Sequence, residues 1–144
     1  MAADLVVIGV ASSAGTHHAR QDRAPQALRE AGLLDRFRSA GLSVDDRGDV
    51  VTEVFAVDHD EPTRRNLEAV VRVARAVADL VAEVDAQGSI PLVIGGDCTI
   101  TIGVVAGLQR RRPRIGLFYF DGDVDLSTPK RPPAACSMPW ALPI

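Results

Sequence analysis

The sequence predicts an α/β domain with parallel strands and helices on both faces of the sheet. Three observations predict it. Short apolar runs rich in β-branched residues alternate with longer segments whose apolar residues recur every three or four positions. Polar stretches follow several of the short runs, at the strand ends where parallel sheets gather chemistry. The chain of 144 residues is 47% hydrophobic and 24% charged, ordinary globular usage with room for one core.

The elements follow in order. Residues Leu5 to Val10 form a continuous apolar run, short and β-branched, as a strand buried on both faces requires. A polar stretch from Ala11 to Arg23 leads to a helix over Pro25–Arg38, with Pro25 in its first turn. Gly32 weakens the middle of that helix and predicts two short helices instead of one. Val51, Val54, Phe55 and Val57 suit a second strand over Val50–Val57. Pro62–Asp85 is the longest periodic segment. Leu67, Val70, Val71, Ala74, Val77, Ala78, Val81 and Val84 line one face, and Arg64, Arg65, Glu68, Arg72, Arg75 and Asp79 the other. Asp60 is placed to cap its start and Gly88 to end it. Ile90–Ile94 is the third strand, tolerating Pro91 near its beginning. Gly95-Gly96-Asp97 turns the chain into a helix over Cys98–Arg110, and Arg114–Phe120 is the fourth strand. Strand and helix alternate throughout, which calls for right-handed crossovers.

Composition removes several function classes. The formal charge is −3, from 16 basic and 19 acidic residues, so bulk positive charge does not drive nucleic-acid binding. No apolar run reaches the roughly 20 residues of a membrane span. The opening Met1-Ala2-Ala3-Asp4 lacks the basic start of a signal peptide. Two cysteines, Cys98 and Cys136, do not make a disulfide scaffold, and a reduced, cytoplasmic setting is expected.

The strongest candidate for chemistry is Asp121-Gly122-Asp123-Val124-Asp125. In an extended segment, carboxylates at i, i+2 and i+4 share one face. Three like charges so placed repel unless a cation compensates, and oxygen donors suit Mg²⁺, Mn²⁺ or Ca²⁺. A solvated acidic loop is the plain alternative. An EF-hand does not fit, because Leu126 and Pro132 stand where Gly and Glu are needed. The haloacid-dehalogenase pattern does not fit either, with Asp125 at its fifth position and too little chain after it. Gly95-Gly96-Asp97-Cys98 is neither a Walker loop nor a dinucleotide fingerprint. Cys98 at a helix start has two readings, a thiol of lowered pKa that a base from His17, His18 or His59 would activate, or a small buried side chain. His17-His18 reads as a solvated loop. The run Arg110-Arg111-Arg112-Pro113-Arg114 reads as charge complementing a helix C-terminus.

Taken jointly, these positions resemble the ureohydrolase family of arginases, agmatinases and formiminoglutamases. Gly95 to Gly103 is similar to that family's GGDHS-x-x-x-G turn, and Asp121 to Pro129 to its DAHxD-x-N/R-TP segment. Ala24-Pro25, Leu28-Arg29, Ala31 to Leu34 and Asp46-Arg47-Gly48-Asp49 match the family's first half. The resemblance implies a three-layer α/β arginase-like fold with a mostly parallel sheet, truncated here. It implies 1–129 as the N-terminal half of that domain and 130–144 as an irregular tail. It further implies hydrolysis of a guanidino, or linear amidine, compound at two Mn²⁺ ions. By the same resemblance Asp121 and Asp125 are metal ligands, with Asp121 bridging. Cys98 and Asp123 stand where the family has ligand histidines. The oxygen donors suit Mn²⁺ or Mg²⁺, but Cys98 is softer and would favour a different metal, and Asp123 adds negative charge, so a changed metal, a single metal or no metal are all compatible with the set. The catalytic residues stay unassigned.

The family's later D-x-D-x-x-D-P aspartates and substrate-binding Glu have no counterpart in the sequence. Five of nine prolines fall after residue 128, and 15 of the 16 basic residues are Arg, with Lys130 the single Lys. The abrupt tail is what a frameshift or early truncation in a GC-rich gene encoding a longer family member would be expected to leave. The family topology places later strands between the third and fourth strands seen here, so strand edges would lie open and the product would self-associate as a homo-oligomer. The expectation is therefore a ureohydrolase by descent, weak or inactive alone, that takes a small guanidino molecule and neither nucleic acid nor membrane. The other readings are a non-catalytic α/β binding or assembly module, and a cysteine hydrolase using Cys98.

Overall fold

A computed structural model describes residues 3–16, 18–57 and 66–121. Three parallel strands form its sheet: β1 (Leu5–Ser12), β2 (Val44–Glu53) and β3 (Ile90–Gly95), in the order β2-β1-β3. The helices are α1 (Ala24–Glu30), α2 (Leu33–Ser39), α3 (Leu67–Ala86) and α4 (Ile100–Gln109), with a 3₁₀ turn over Gln21–Arg23. This is an α/β fold with a parallel sheet, of the expected class.

The core follows from the two-residue period of β1. Val6, Ile8 and Val10 share one face and pack on Val73, Val77, Val81 and Val84 of α3. Val7 and Gly9 lie on the opposite face, where Arg29 of α1 reaches toward Gly9. Helices thus cover both faces of the central strand, as its continuous apolar run requires.

Gly32 divides the first helical segment as its sequence predicts. It adopts φ 80°, a conformation that costs little without a Cβ, and donates to Arg29 O at 2.9 Å before α2 begins. Gly88 ends α3 in the same conformation, φ 81°. There Gly88 N donates to Asp85 O at 3.2 Å and Ser89 N to Val84 O at 3.3 Å, satisfying carbonyls at the helix end. The expected cap Asp60 lies outside the described residues. In the described part of the chain, Asn66 precedes α3, and its side-chain amide donates to Ala14 O and Ala56 O, at 3.2 and 3.0 Å.

Helix α4 lies close against α3 because Gly103 and Gly107, one turn apart, face it. A Cβ on Gly103 would come within 2.6 Å of Ala74 O, and one on Gly107 within 2.7 Å of Ala78 O. The basic run after α4 then reaches across to α3. Arg110 pairs with Asp79 at 2.6 Å and Arg112 with the buried Asp85 at 2.5 Å, while Arg111 donates to Asp85 O at 3.1 Å. Its charge complements the end of α3, the neighbouring helix, and not only that of α4.

Three expectations are corrected. The second strand begins at Val44, not Val50, and ends at Glu53, before Val54–Val57. The charged Asp45 to Asp49 stretch hides a strand because, among the described residues, β2 is at the sheet edge and pairs with β1 alone, and its acids meet Arg29. The pairing slips on either side of Gly9, which faces Asp49. The helix expected from Cys98 starts at Ile100. The fourth strand, Arg114–Phe120, is not formed. Among the described residues no strand lies beside it, and a strand exists only by pairing. Phe118 and Phe120 are 83% and 89% exposed and touch each other, ring centroids 4.8 Å apart. Among the described residues no helix is long and apolar enough to cross a membrane.

Candidate functional site at the carboxyl ends of the strands

The ends of β1 and β3 interlock. Gly96 N donates to Val10 O at 3.2 Å, and a Cβ on Gly96 would strike Ser12 O. A Cβ on Gly15 would come within 2.5 Å of Thr99 Cγ2. Both glycines are therefore demanded by close approach of the two loops.

Asp97 sits at the centre of this junction and is 5% exposed. Its Oδ2 accepts from Ser12 Oγ at 3.1 Å and from Gly15 N at 3.3 Å. Its Oδ1 accepts from Thr99 N at 3.0 Å and from the Thr99 hydroxyl. The bond to Thr99 N closes a turn around Cys98, whose carbonyl in turn accepts from Thr101 N at 3.1 Å. Cys98 is thus held between two fixed neighbours, its side chain half-buried.

The loop after β1 is polar yet buried. Ser13 donates to Asp22 Oδ1 at 2.9 Å and accepts from Phe55 N at 2.9 Å, tying the end of β1 to the chain leaving β2. Desolvation pushes the Asp22 carboxyl up. The Ser13 hydroxyl and the N–H groups of Arg20 and Asp22 outweigh it, leaving the group below its ordinary value. On the other side of β1, Arg29 grips Asp46 through Nε at 2.8 Å and Nη2 at 3.0 Å, and Asp49 through Nη1 at 2.6 Å. The Arg29 bonds are the main reason the Asp46 carboxyl lies below its ordinary range, against desolvation and with help from Gly48 N.

Of the residues expected to carry chemistry, Cys98 lies on the interlocked turn, and Asp121 is exposed at the far end of the 114–121 segment. Asp123, Asp125, His17 and His59 lie outside the described residues, as does the 130–144 tail. His18 is exposed. Among the described residues no three potential ligands cluster as a metal site would. Sequence reasoning passed over Asp97, Ser12 and Thr99 as functional positions. The signal was present: an acid between two glycines and a threonine, at the end of an apolar strand, must be desolvated and therefore hydrogen-bonded.

Comparison with known proteins gives one consistent result. The model of the Arginase family matches residues 3–142. The arginase of Bacillus caldovelox is 32% identical over 130 residues, which are 89% of this chain and 44% of that protein. Human arginase-1 is 34% identical over 126 residues, 85% of this chain and 38% of that one. The solved B. caldovelox arginase superposes with a TM-score of 0.79 at 31% identity, covering 91% of this chain and 44% of that structure. Bacillus subtilis arginase gives 0.77 at 30% identity, covering 94% and 44%. The chain spans about two fifths of the length of the curated relatives it matches.

Proposed function

The chain belongs to the arginase family, and from that premise we propose that it carries part of the machinery of a metal-dependent hydrolase acting on a guanidino compound. The observation that supports this most directly is the turn at the end of β3. Its Gly-Gly-Asp is locked against the β1 loop, inside a fold that superposes on arginases, and presents residue 98 at the carboxyl edge of the sheet.

The donor set fits a divalent cation by its chemistry. Asp121, Asp123 and Asp125 supply hard carboxylate oxygens suited to Mn²⁺ or Mg²⁺, and Cys98 supplies a softer thiolate that draws the preference toward thiophilic metals. Asp97 is not in the set, because both its oxygens are engaged by donors from its own fold. A bound cation supplies Lewis acidity, making water nucleophilic near neutral pH for attack on a guanidinium carbon. The carboxylates bind and orient that cation, and the Asp97 turn keeps residue 98 in place. A reduced cytoplasmic setting, which keeps Cys98 a thiol, suits this reading.

Equilibrium dialysis against Mn²⁺ tests it. The chain is expected to bind the ion saturably, and Asp121→Ala to weaken binding about tenfold or more. Absence of saturable binding to the unsubstituted chain overturns the reading in favour of a non-catalytic α/β module. Urea release from guanidino substrates is expected to be weak or absent, since the matched relatives are more than twice as long.

Self-association belongs to the same reading. Ile90 on β3 and Leu117, Phe118 and Phe120 are more than half exposed, and among the described residues no strand pairs with the outer edge of β3. Bare edges and apolar patches of this kind pair with further chains. Sedimentation at micromolar concentration is expected to show dimers or larger species, reduced by Phe118→Lys with Phe120→Lys. A monodisperse monomer contradicts it.

A further inference from the structure

We propose that Asp97 is a positioning residue, an obligate carboxylate that fixes the geometry of residue 98 by bonding backbone on both of its oxygens. Gly15 N bonds Oδ2 and Thr99 N bonds Oδ1. A backbone N–H donates and cannot reverse, unlike the hydroxyls of Ser12 and Thr99, which also bond this side chain. An amide presents an NH₂ group to one of the two N–H groups whichever way it is turned, so an aspartate side chain accepts on both sides where an asparagine cannot. Four donors surround Asp97 at a site 5% exposed, two from the end of β1 and its loop and two from the β3 turn.

The consequence falls on Cys98. Asp97 and Thr99 flank it, are both buried, and are bonded to each other around it. The close approach of Gly15 to Thr99 and of Gly96 to Ser12 brings the two loops near enough for these bonds to form. Losing the acceptor on either oxygen therefore frees the 97–99 turn while the β1–α3 core, which shares none of these bonds, stays packed. That residue 98 serves a metal rests on the function proposed above; that Asp97 fixes its geometry does not.

The test is the full-length chain in a Cys136→Ser background, comparing Asp97→Asn with the parent. Alkylation of Cys98 by iodoacetamide without metal is expected to be about tenfold faster in Asp97→Asn, because a buried N–H left facing an NH₂ group opens the turn. Hydrogen exchange of core amides in β1 and α3 is expected to be unchanged. An alkylation rate within twofold of the parent overturns the proposal, and so does an equal acceleration of the core amides, which marks mere loss of global stability. Should Asp97→Asn not fold, Asp97→Ala, which removes both acceptors without setting an NH₂ group against an N–H, takes its place under the same tenfold expectation and the same twofold limit. Cobalt titration separates this from the function. A thiolate-to-cobalt absorption band in the parent that is lost in Asp97→Asn supports both, whereas no cobalt binding by the parent removes the metal reading and leaves the alkylation result to decide the role of Asp97.

Discussion

Gly103→Ala is expected to destabilise the chain by about 1–2 kcal/mol, although helix propensity alone would have it stabilise by about 1 kcal/mol. The sign is decided by contact. The added methyl would stand 2.6 Å from Ala74 O and 2.8 Å from Val77 Cβ, both on the facing helix and neither able to swing away. Separating α3 from α4 to admit it costs about 1–3 kcal/mol for a single over-packed position. Gly107 meets Ala78 O and Val81 Cβ in the same way, at 2.7 and 2.9 Å. One outward shift of α4 relieves both positions, so the double variant is expected to cost less than the sum of the singles. Ala106, exposed on the same helix, provides the control. There the reverse exchange, Ala106→Gly, is expected to destabilise by about 1 kcal/mol through propensity. Urea melts of the four variants decide it, and a stabilised Gly103→Ala shows that the seam does not hold the helices together.

Arg29→Met is expected to cost about 2 kcal/mol at neutral pH, the scale of a partly buried ion pair broken on one side. Asp46 and Asp49 would be left facing each other, with side chains 20% and 32% exposed and Gly9 directly beneath Asp49. The dependence on pH gives the sharper measurement. Asp46 titrates below its ordinary 3.8 in the folded chain, first because Arg29 bonds it and despite desolvation. A carboxyl depressed on folding contributes stability that is fully present above its unfolded pKa and is lost as pH falls through the folded value. The difference between wild type and Arg29→Met is thus expected to be constant from pH 7 down to about 5, and to shrink below 3.8 as Asp46 takes up its proton in both proteins. Melts across that range check it, and a gap that does not change with acid would mean the pair contributes little.

Local signals in the sequence were sufficient wherever one residue's backbone preference or one segment's period settled the matter. Gly32 and Gly88 marked the helix ends they occupy, and the valines of α3 marked the face it buries. The motifs around Gly95 and Arg29 carry the family resemblance in the sequence itself, and the match over residues 3–142 agrees. Where pairing decides, the same signals misled. The acids of β2 lie ahead of the strand expected at Val50 and yet belong to it, since backbone bonds to β1 are indifferent to side-chain polarity at a sheet edge. The apolar 114–120 segment looked like a strand and is none, because apolar residues alone supply no backbone ladder.

The site divides the same way. Cys98 and the three aspartates were legible as donor types, because ligand chemistry resides in the side chain itself. Asp97 was legible only as part of a turn. Its work depends on Ser12 and Gly15, more than 80 residues earlier in the chain, and it becomes visible only when β1 and β3 lie side by side. By itself the sequence determined the helix ends at Gly32 and Gly88, the fold class, the family and the kinds of donor available. Tertiary structure alone decided which strands pair, which glycines are contacts rather than hinges, and which carboxylate is held by backbone from two loops, because each of these is a property of atoms brought together from distant parts of the chain.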